Sequence, residues 1–363
     1  MSTISLLDAA TKPPRGTDDL PDIGGVIRAR PEDFEVEEIP AYDSDGLPGH
    51  LLLSLRKRSM TTEEAVRELA RQLRIPRGEI GVAGLKDRDA LTTQRVSVPD
   101  QARSALQEFS HPAIQLMIGP GEPEPHSHKL RRGHLRGNRF RLLLRELPID
   151  PSEAEARAKV KLDRLTTVGL RNYYGVQRFG KDARNLKPGI AALKGRGPRR
   201  GKGDLVVSAG QSALFNAYLA ERAQRGLLSR VLLGDILQKR ETGGMFECAD
   251  PAIDQARLDA GEVVLTGPMF GSKTRRPREG TPADALELEI LALAGLDLAK
   301  LAKLGRRVPG TRRQLLIRPE QVGAAISPAN PDDGYAEQGP ALELRFVLPP
   351  GSYATVLIRE LCG

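Results

Sequence analysis

Chemistry in this chain is concentrated where single polar groups stand among cations and glycines. The run Ala83–Gln94 presents Asp87 beside Lys86 and Arg88, with Arg95 just beyond. Positive charge around a carboxylate favours its ionised, nucleophilic form, and Gly84 is expected to free the turn for a backbone conformation that a Cβ would resist. On charge spacing alone, the commoner outcome is a solvated turn with local ion pairs. A second stretch, Leu130–Phe140, combines arginines, among them Arg132 and Arg136, with Gly133, Gly137 and Asn138. Arginines neutralise phosphates, glycines let backbone come close to a ligand, and an amide offers both a donor and an acceptor to a base edge. His134 in that loop is read as a phosphate or solvent contact, with no catalytic role. A third stretch, Gly169–Gly180, gathers Tyr173, Tyr174 and Phe179 with Arg171 and Arg178, in a chain that is only 4% aromatic. Such a cluster either stacks on single-stranded RNA or forms a glycine-bounded aromatic turn within a core.

The elements that must position these groups follow from periodicity. Val26–Ala29 reads as a strand and Pro31–Asp33 as a turn; Phe34–Glu37 alternates apolar with charged like a half-buried strand. A third strand covers 50–55. Thr61 and Glu64 fit a capping box for a helix whose stripe is Val66, Leu69, Ala70 and Leu73, ended by Pro76. Ile80–Ala83 leads into the Asp87 loop and 93–98 leaves it as a strand. The spacing predicts further helices over about 151–167, 211–225 and 282–293, a strand ending in a turn over 263–271, a strictly alternating strand over 341–348, and a final helix over 353–361 capped by Ser352. Residues 1–22 lack periodicity and read as a poorly ordered arm. The glycine- and arginine-rich segment 194–203, with Arg196, Arg199 and Arg200, reads as a mobile, phosphate-seeking loop.

Composition sets the class. At 363 residues the chain has room for two domains. The net charge of +8 and pI near 9.6 favour an anionic partner. Two cysteines and five histidines show no metal-ligand spacing, so no metal site and no disulfide scaffold is expected. With no leader-like or membrane-length apolar run, the expected location is the cytoplasm.

Gly84, Lys86, Asp87, Arg88, Ala90, Thr92 and Gln94 resemble the signature of the TruD family of pseudouridine synthases. Further strings follow in that family's order. These are Arg28 with the Pro31–Val36 segment, Gly137-Asn138 with Phe140, Asn172–Gly180, Thr266–Gly271, and Leu348–Glu360 with Tyr353. The resemblance implies an α+β pseudouridine synthase core, with a central, mostly antiparallel sheet assembled from residues 23–168 and 310–363, and an inserted α/β TRUD domain over 169–309. It implies isomerisation of uridine to pseudouridine in tRNA, at uridine 13, without a cofactor. It implies Asp87 as the nucleophile, Arg28 as the basic residue beside it, Phe34, Phe140 and Tyr353 as the uridine pocket, and Asn138 as the contact to the base. Lys86 is counted with these substrate-binding groups; Arg132, Arg136, Arg178, Arg196, Arg199 and Arg200 are expected to bind RNA phosphates. A monomer whose partner is tRNA, with no membrane, is expected. The competing class is a non-catalytic RNA-binding protein or RNA chaperone using the same basic surface; a metal-dependent nuclease would need an acidic cluster that the sequence lacks.

Overall fold

The structure is a computed structural model that describes residues 4–117, 123–196, 203–305, 308–329, 334 and 339–363, with the backbone alone at 203 and 204. In chain order the described elements are α1 (Leu6–Thr11), β1 (Phe34–Pro40), β2 (His50–Arg58), α2 (Thr62–Gln72), β3 (Gly81–Val82), β4 (Leu91–Pro99), α3 (Arg103–Gln107), β5 (Ile114–Met117), β6 (Glu124–His126), β7 (Leu135–Leu144) and α4 (Pro151–Thr167). There follow β8 (Leu170–Arg171), α5 (Leu186–Leu193), α6 (Gly203–Gln224), β9 (Ile236–Lys239), β10 (Met245–Glu247), α7 (Pro251–Asp259), β11 (Val263–Met269), α8 (Pro282–Leu293), α9 (Leu298–Lys303), β12 (Thr311–Gln314), β13 (Leu316–Ile317), β14 (Glu320–Ser327), β15 (Ala341–Leu348) and α10 (Ala354–Cys362). No described helix is long and apolar enough to cross a membrane.

The chain divides into two compact units. The first comprises Leu20–Thr167, Pro319–Ala354 and Leu361–Gly363 and is built on a mixed sheet of order β14-β15-β7-β1-β4-β2-β5, with β3 added on β4 and β6 on β2. Every pairing in it is antiparallel except β1 with β4, where Glu35 pairs with Leu91. Because parallel neighbours start at the same edge, the turn before β1 and the loop before β4 are brought to the same end of the sheet. That geometry places Arg28 and Asp87 together. The core beneath β2 and β4 comes from the alternation in the strands and the stripe of α2: Leu51, Leu53, Leu55, Val66, Leu69 and Val96 are all buried. The α2 capping box forms, with the Thr61 hydroxyl accepting from Glu64 N and the Glu64 carboxylate from Thr61 N.

The second unit comprises Met1–Asp19, Val168–Arg318 and Thr355–Glu360. It holds a four-stranded sheet, β10-β9-β11-β12, a two-stranded pair of β13 with β8, and closely packed α5 and α6. Helices α5 and α6 touch backbone to backbone, since a Cβ on Gly189 would lie 2.6 Å from Gly210 N and from the Val206 carbonyl.

Four expectations are corrected. Residues 5–19 are ordered: α1 is capped by Ser5, its Ala9 and Ala10 are buried, Ala10 packs in one cluster with Phe179, Leu186, Ala209 and Ala213, and the Thr17 hydroxyl bonds Glu360. Their small apolar residues bury a face too narrow to register as periodic. Consequently the second compact unit spans 168–318 together with Met1–Asp19 and Thr355–Glu360, where 169–309 alone was expected. Val26–Ala29 forms no strand, only a single bridge from Val26 to Arg145, because Arg28 turns into the left-handed region at φ 59°. Finally, Gly84 does not have a positive φ, and a Cβ there would meet ordinary contacts at 3.6 Å or more, so its loop does not depend on glycine's freedom.

Candidate active site

The loop that carries Asp87 is held from below by strand residues. Lys57, on β2, is buried and donates from Nζ to the Asp87 carbonyl at 2.8 Å and to the Met60 carbonyl at 2.6 Å. Burial pulls its amine down to about 8, against the opposing pull of the Asp87 charge. The Thr62 hydroxyl accepts from Lys86 N at 2.9 Å and donates to Gln94 Oε1 at 2.9 Å, while Gln94 Nε2 donates to the Gly84 carbonyl at 3.3 Å. Ala90 and Thr92 are fully buried. The backbone is therefore pinned on both sides while the Asp87 side chain stays half exposed, at 50%.

Arg28 meets that carboxylate from the other side, with Nη2 2.8 Å from Asp87 Oδ2. Its guanidinium lies 3.9 Å from the centre of the Phe34 ring, a cation–π distance. The segment is clamped at both ends to the finish of β7: Val26 bridges Arg145 by backbone hydrogen bonds of 2.8 and 2.9 Å, and the Arg145 guanidinium grips the buried Asp33 carboxylate through two bonds of 2.9 Å. Phe34 is fully buried and meets Phe140 edge-on at 6.2 Å, and Phe140 stacks on Phe346 at 5.1 Å. The three rings follow from register, since Val36 and Phe346 are the cross-strand partners of Phe140. Phe34 is thus covered by the Arg28 guanidinium.

Asn138 on β7 pairs with Glu38 on one side and Leu348 on the other. Its Oδ1 accepts from Lys86 Nζ at 2.7 Å, and the same Nζ lies 2.7 Å from Glu38 Oε2. Both charged side chains are almost wholly buried, at 4% and 0% exposure. Lys86 therefore turns away from Asp87, and Arg95 spends its guanidinium on Glu124 and the Tyr42 carbonyl; of the cations expected around Asp87, Arg28 supplies the contact and these two do not. Tyr353, half-buried, follows β15 by five residues, and β15 ends opposite Asn138.

The basic loop rests on the Asp87 loop through Gly133 N to the Ala83 carbonyl, 2.8 Å. Arg131, Arg132 and Arg136 are exposed there, and their side chains form no ion pair among the described residues. His134 Nδ1 and the Tyr42 hydroxyl share a hydrogen bond of 2.6 Å. In the inserted unit, Arg178 is satisfied internally by Ser208 and Ser212 and packs on Tyr174, while Tyr173 and Phe179 are buried; this stretch is core rather than an open stacking platform. Arg196 is exposed, and Arg199 and Arg200 lie outside the described residues. Two clefts of the first unit, of about 570 and 520 Å³, do not include Asp87, although Phe140 and Phe346 line the second.

Sequence reasoning missed Lys57 and Glu38. A signal was present in both cases, because each charge falls in the apolar phase of its strand, Lys57 with Leu51, Leu53 and Leu55, and Glu38 with Phe34 and Val36.

The family profile described as tRNA pseudouridine synthase D (TruD) matches residues 17–191 and 203–361. A protein from Anaeromyxobacter sp. (strain Fw109-5) named tRNA pseudouridine synthase D is 42% identical over 359 residues, covering 97% of this chain and 96% of its own. One of the same name from Thermus thermophilus is 40% identical over 351 residues, 95% and 90% of the two chains. A Methanosarcina mazei crystal structure, provisionally assigned as tRNA pseudouridine synthase D, shares the fold with a TM-score of 0.76 over 99% of this chain and 98% of its own, at 24% identity. The chain belongs to the TruD family of tRNA pseudouridine synthases.

Proposed function

We propose that this enzyme isomerises uridine 13 of tRNA to pseudouridine with Asp87 as its nucleophile. The observation that carries the reading is the half-exposed Asp87 carboxylate, paired with Arg28 at 2.8 Å on a loop whose backbone is fixed by Lys57, Thr62 and Gln94. A nucleophile needs an ionised, accessible oxygen and a rigid support, and this loop supplies both. Whether the carboxylate attacks C1′ of the ribose or C6 of the uracil, the net change is the same. The N1–C1′ bond breaks, the base turns about the line through N3 and C6, and a C5–C1′ bond forms as C5 loses its proton and N1 gains one. The target nucleotide must leave its stack to reach the loop, at a cost of a few kcal/mol that phosphate contacts offset. Arg131, Arg132 and Arg136 stand next to the nucleophile loop to make them. The Arg28 guanidinium covers the buried Phe34 ring, so a base that stacks on Phe34 has to displace that cation.

Tritium release from tRNA transcripts labelled at uridine C5 tests the reaction, and sequencing for pseudouridine tests the position. The native enzyme is expected to release tritium from one site, and Asp87→Asn to bind the transcript and release none. Modification elsewhere would overturn the position; turnover by a deamidation-free Asp87→Asn preparation would remove Asp87 from the mechanism.

A further inference from the structure

The buried pair Glu38–Lys86 has no obvious structural need, because it places two charges in a dry strand interior where desolvation is expensive. Its geometry gives it a directional consequence. An ammonium has donors only, so the atom of Asn138 that lies 2.7 Å from Lys86 Nζ has to be the carbonyl oxygen Oδ1. Glu38 Oε2 pairs with the same ammonium at 2.7 Å, and Glu38 Oε1 is itself fixed by the Arg95 backbone N–H at 3.2 Å. The amide cannot flip without facing two N–H groups against Lys86. What Asn138 has left is Nδ2, a donor, which makes no hydrogen bond among the described residues.

A donor-only reader suits this reaction for a reason of symmetry. When the detached uracil turns about the line through N3 and C6, N1 exchanges places with C5 and the O4 carbonyl exchanges places with the O2 carbonyl. An NH2 group that grips one carbonyl before the turn meets the other carbonyl after it. An amide free to present its oxygen would have no donor to accept from at those positions. Cytosine, with an amino group in place of one carbonyl oxygen, would oppose donor to donor in one of the two orientations, and a buried unpaired polar group of that kind costs roughly tenfold or more in affinity.

We propose that Glu38 and Lys86 are positioning residues that lock the Asn138 amide with its NH2 toward the base, so that the enzyme holds uracil by either carbonyl oxygen, before and after the base turns. The proposal rests on the pseudouridine synthase reading above and moves Lys86 from a contact to the substrate to a support of one.

The test is a double-mutant cycle in binding, made on Asp87→Asn protein so that no RNA is converted. Dissociation constants are measured for tRNA carrying uridine and for tRNA carrying pseudouridine at the target position. Because Lys86→Met alone leaves Glu38 buried without a partner, the pair is removed together as Glu38→Gln with Lys86→Met, and urea unfolding checks that the variant folds. Removing the pair and making Asn138→Ala are each expected to weaken both RNAs by about tenfold, and the combination is expected to be no weaker than Asn138→Ala alone. Additive losses would mean that the pair acts independently of the amide and would overturn the proposal. A loss confined to one of the two RNAs would also overturn it, because the amide would then read one particular oxygen. Tritium release by the native enzyme, measured alongside, keeps failure of this idea distinct from failure of the functional reading.

Discussion

Lys57→Met isolates the least expected part of the site. The amine is 1% exposed and donates to two carbonyls, one of them that of Asp87. Burial lowers it from an ordinary 10.5 to about 8. A folded-state value below the unfolded one means that the fold disfavours the charged form. Below about 8 the folded protein carries the full cost of a dry ammonium, and above about 10.5 neither state is protonated and the cost vanishes. Stability from this group therefore rises with pH between those values. Integrating the linkage relation, the native protein should gain about 2 kcal/mol on the methionine variant between about pH 7.5 and about pH 9.5. Water reaching the amine beneath the exposed loop would reduce that to about 1 kcal/mol. Urea unfolding of both proteins across the range supplies the difference, in which other titrating groups cancel. Parallel stability profiles would refute the claim that the ammonium is held dry. The same variant should turn over roughly tenfold or more slowly at pH 7 with RNA affinity nearly unchanged, because the Asp87 carbonyl loses its anchor.

Replacing Arg131, Arg132 and Arg136 with Gln should weaken tRNA binding and lower the slope of log affinity against log salt by about 2 to 3, since each phosphate contact releases a counterion; an unchanged slope would place the RNA elsewhere. Arg28→Met removes the 2.8 Å pair with Asp87 and the contact with Phe34. It should cut the single-turnover rate at saturating RNA by about tenfold, with a dissociation constant within about threefold; the opposite split would make Arg28 a phosphate contact. Gly189→Ala drives a methyl to 2.6 Å from the backbone of α6 and should destabilise the inserted unit by about 1 to 3 kcal/mol in urea unfolding, with little change if the helices can part.

Much of this architecture was legible because local patterns and tertiary structure agree. The capping box at Thr61 and the alternation of Leu342, Leu344, Phe346 and Leu348 both describe what the chain does. The misses have specific causes. Arg28 breaks its strand through a backbone conformation that its side-chain type does not announce. Lys57 and Glu38 were passed over because a charged side chain does not stand out as a core position, although the period-two register puts both inward. Arg178 and the aromatics near it look like a binding surface by composition, and only packing reveals that Ser208, Ser212 and the core have claimed them.

The sheet's order also bears on how the protein is made. Strand β7 is flanked by β1 on one edge and by β15 on the other, yet β15 begins at Ala341, nearly 200 residues after β7 ends at Leu144. At synthesis speeds of about 5–20 residues per second, the edge of β7 waits roughly 10 to 40 s for its partner to leave the ribosome. During that interval Asn138, Phe140 and Leu142 lie on an open strand edge, the kind of surface that pairs with other chains. The charges that alternate with them, Arg139 and Arg141, are what keep such an edge from recruiting a neighbour. The arginines of β7 thus guard the nascent chain at the strand that carries Asn138 and Phe140.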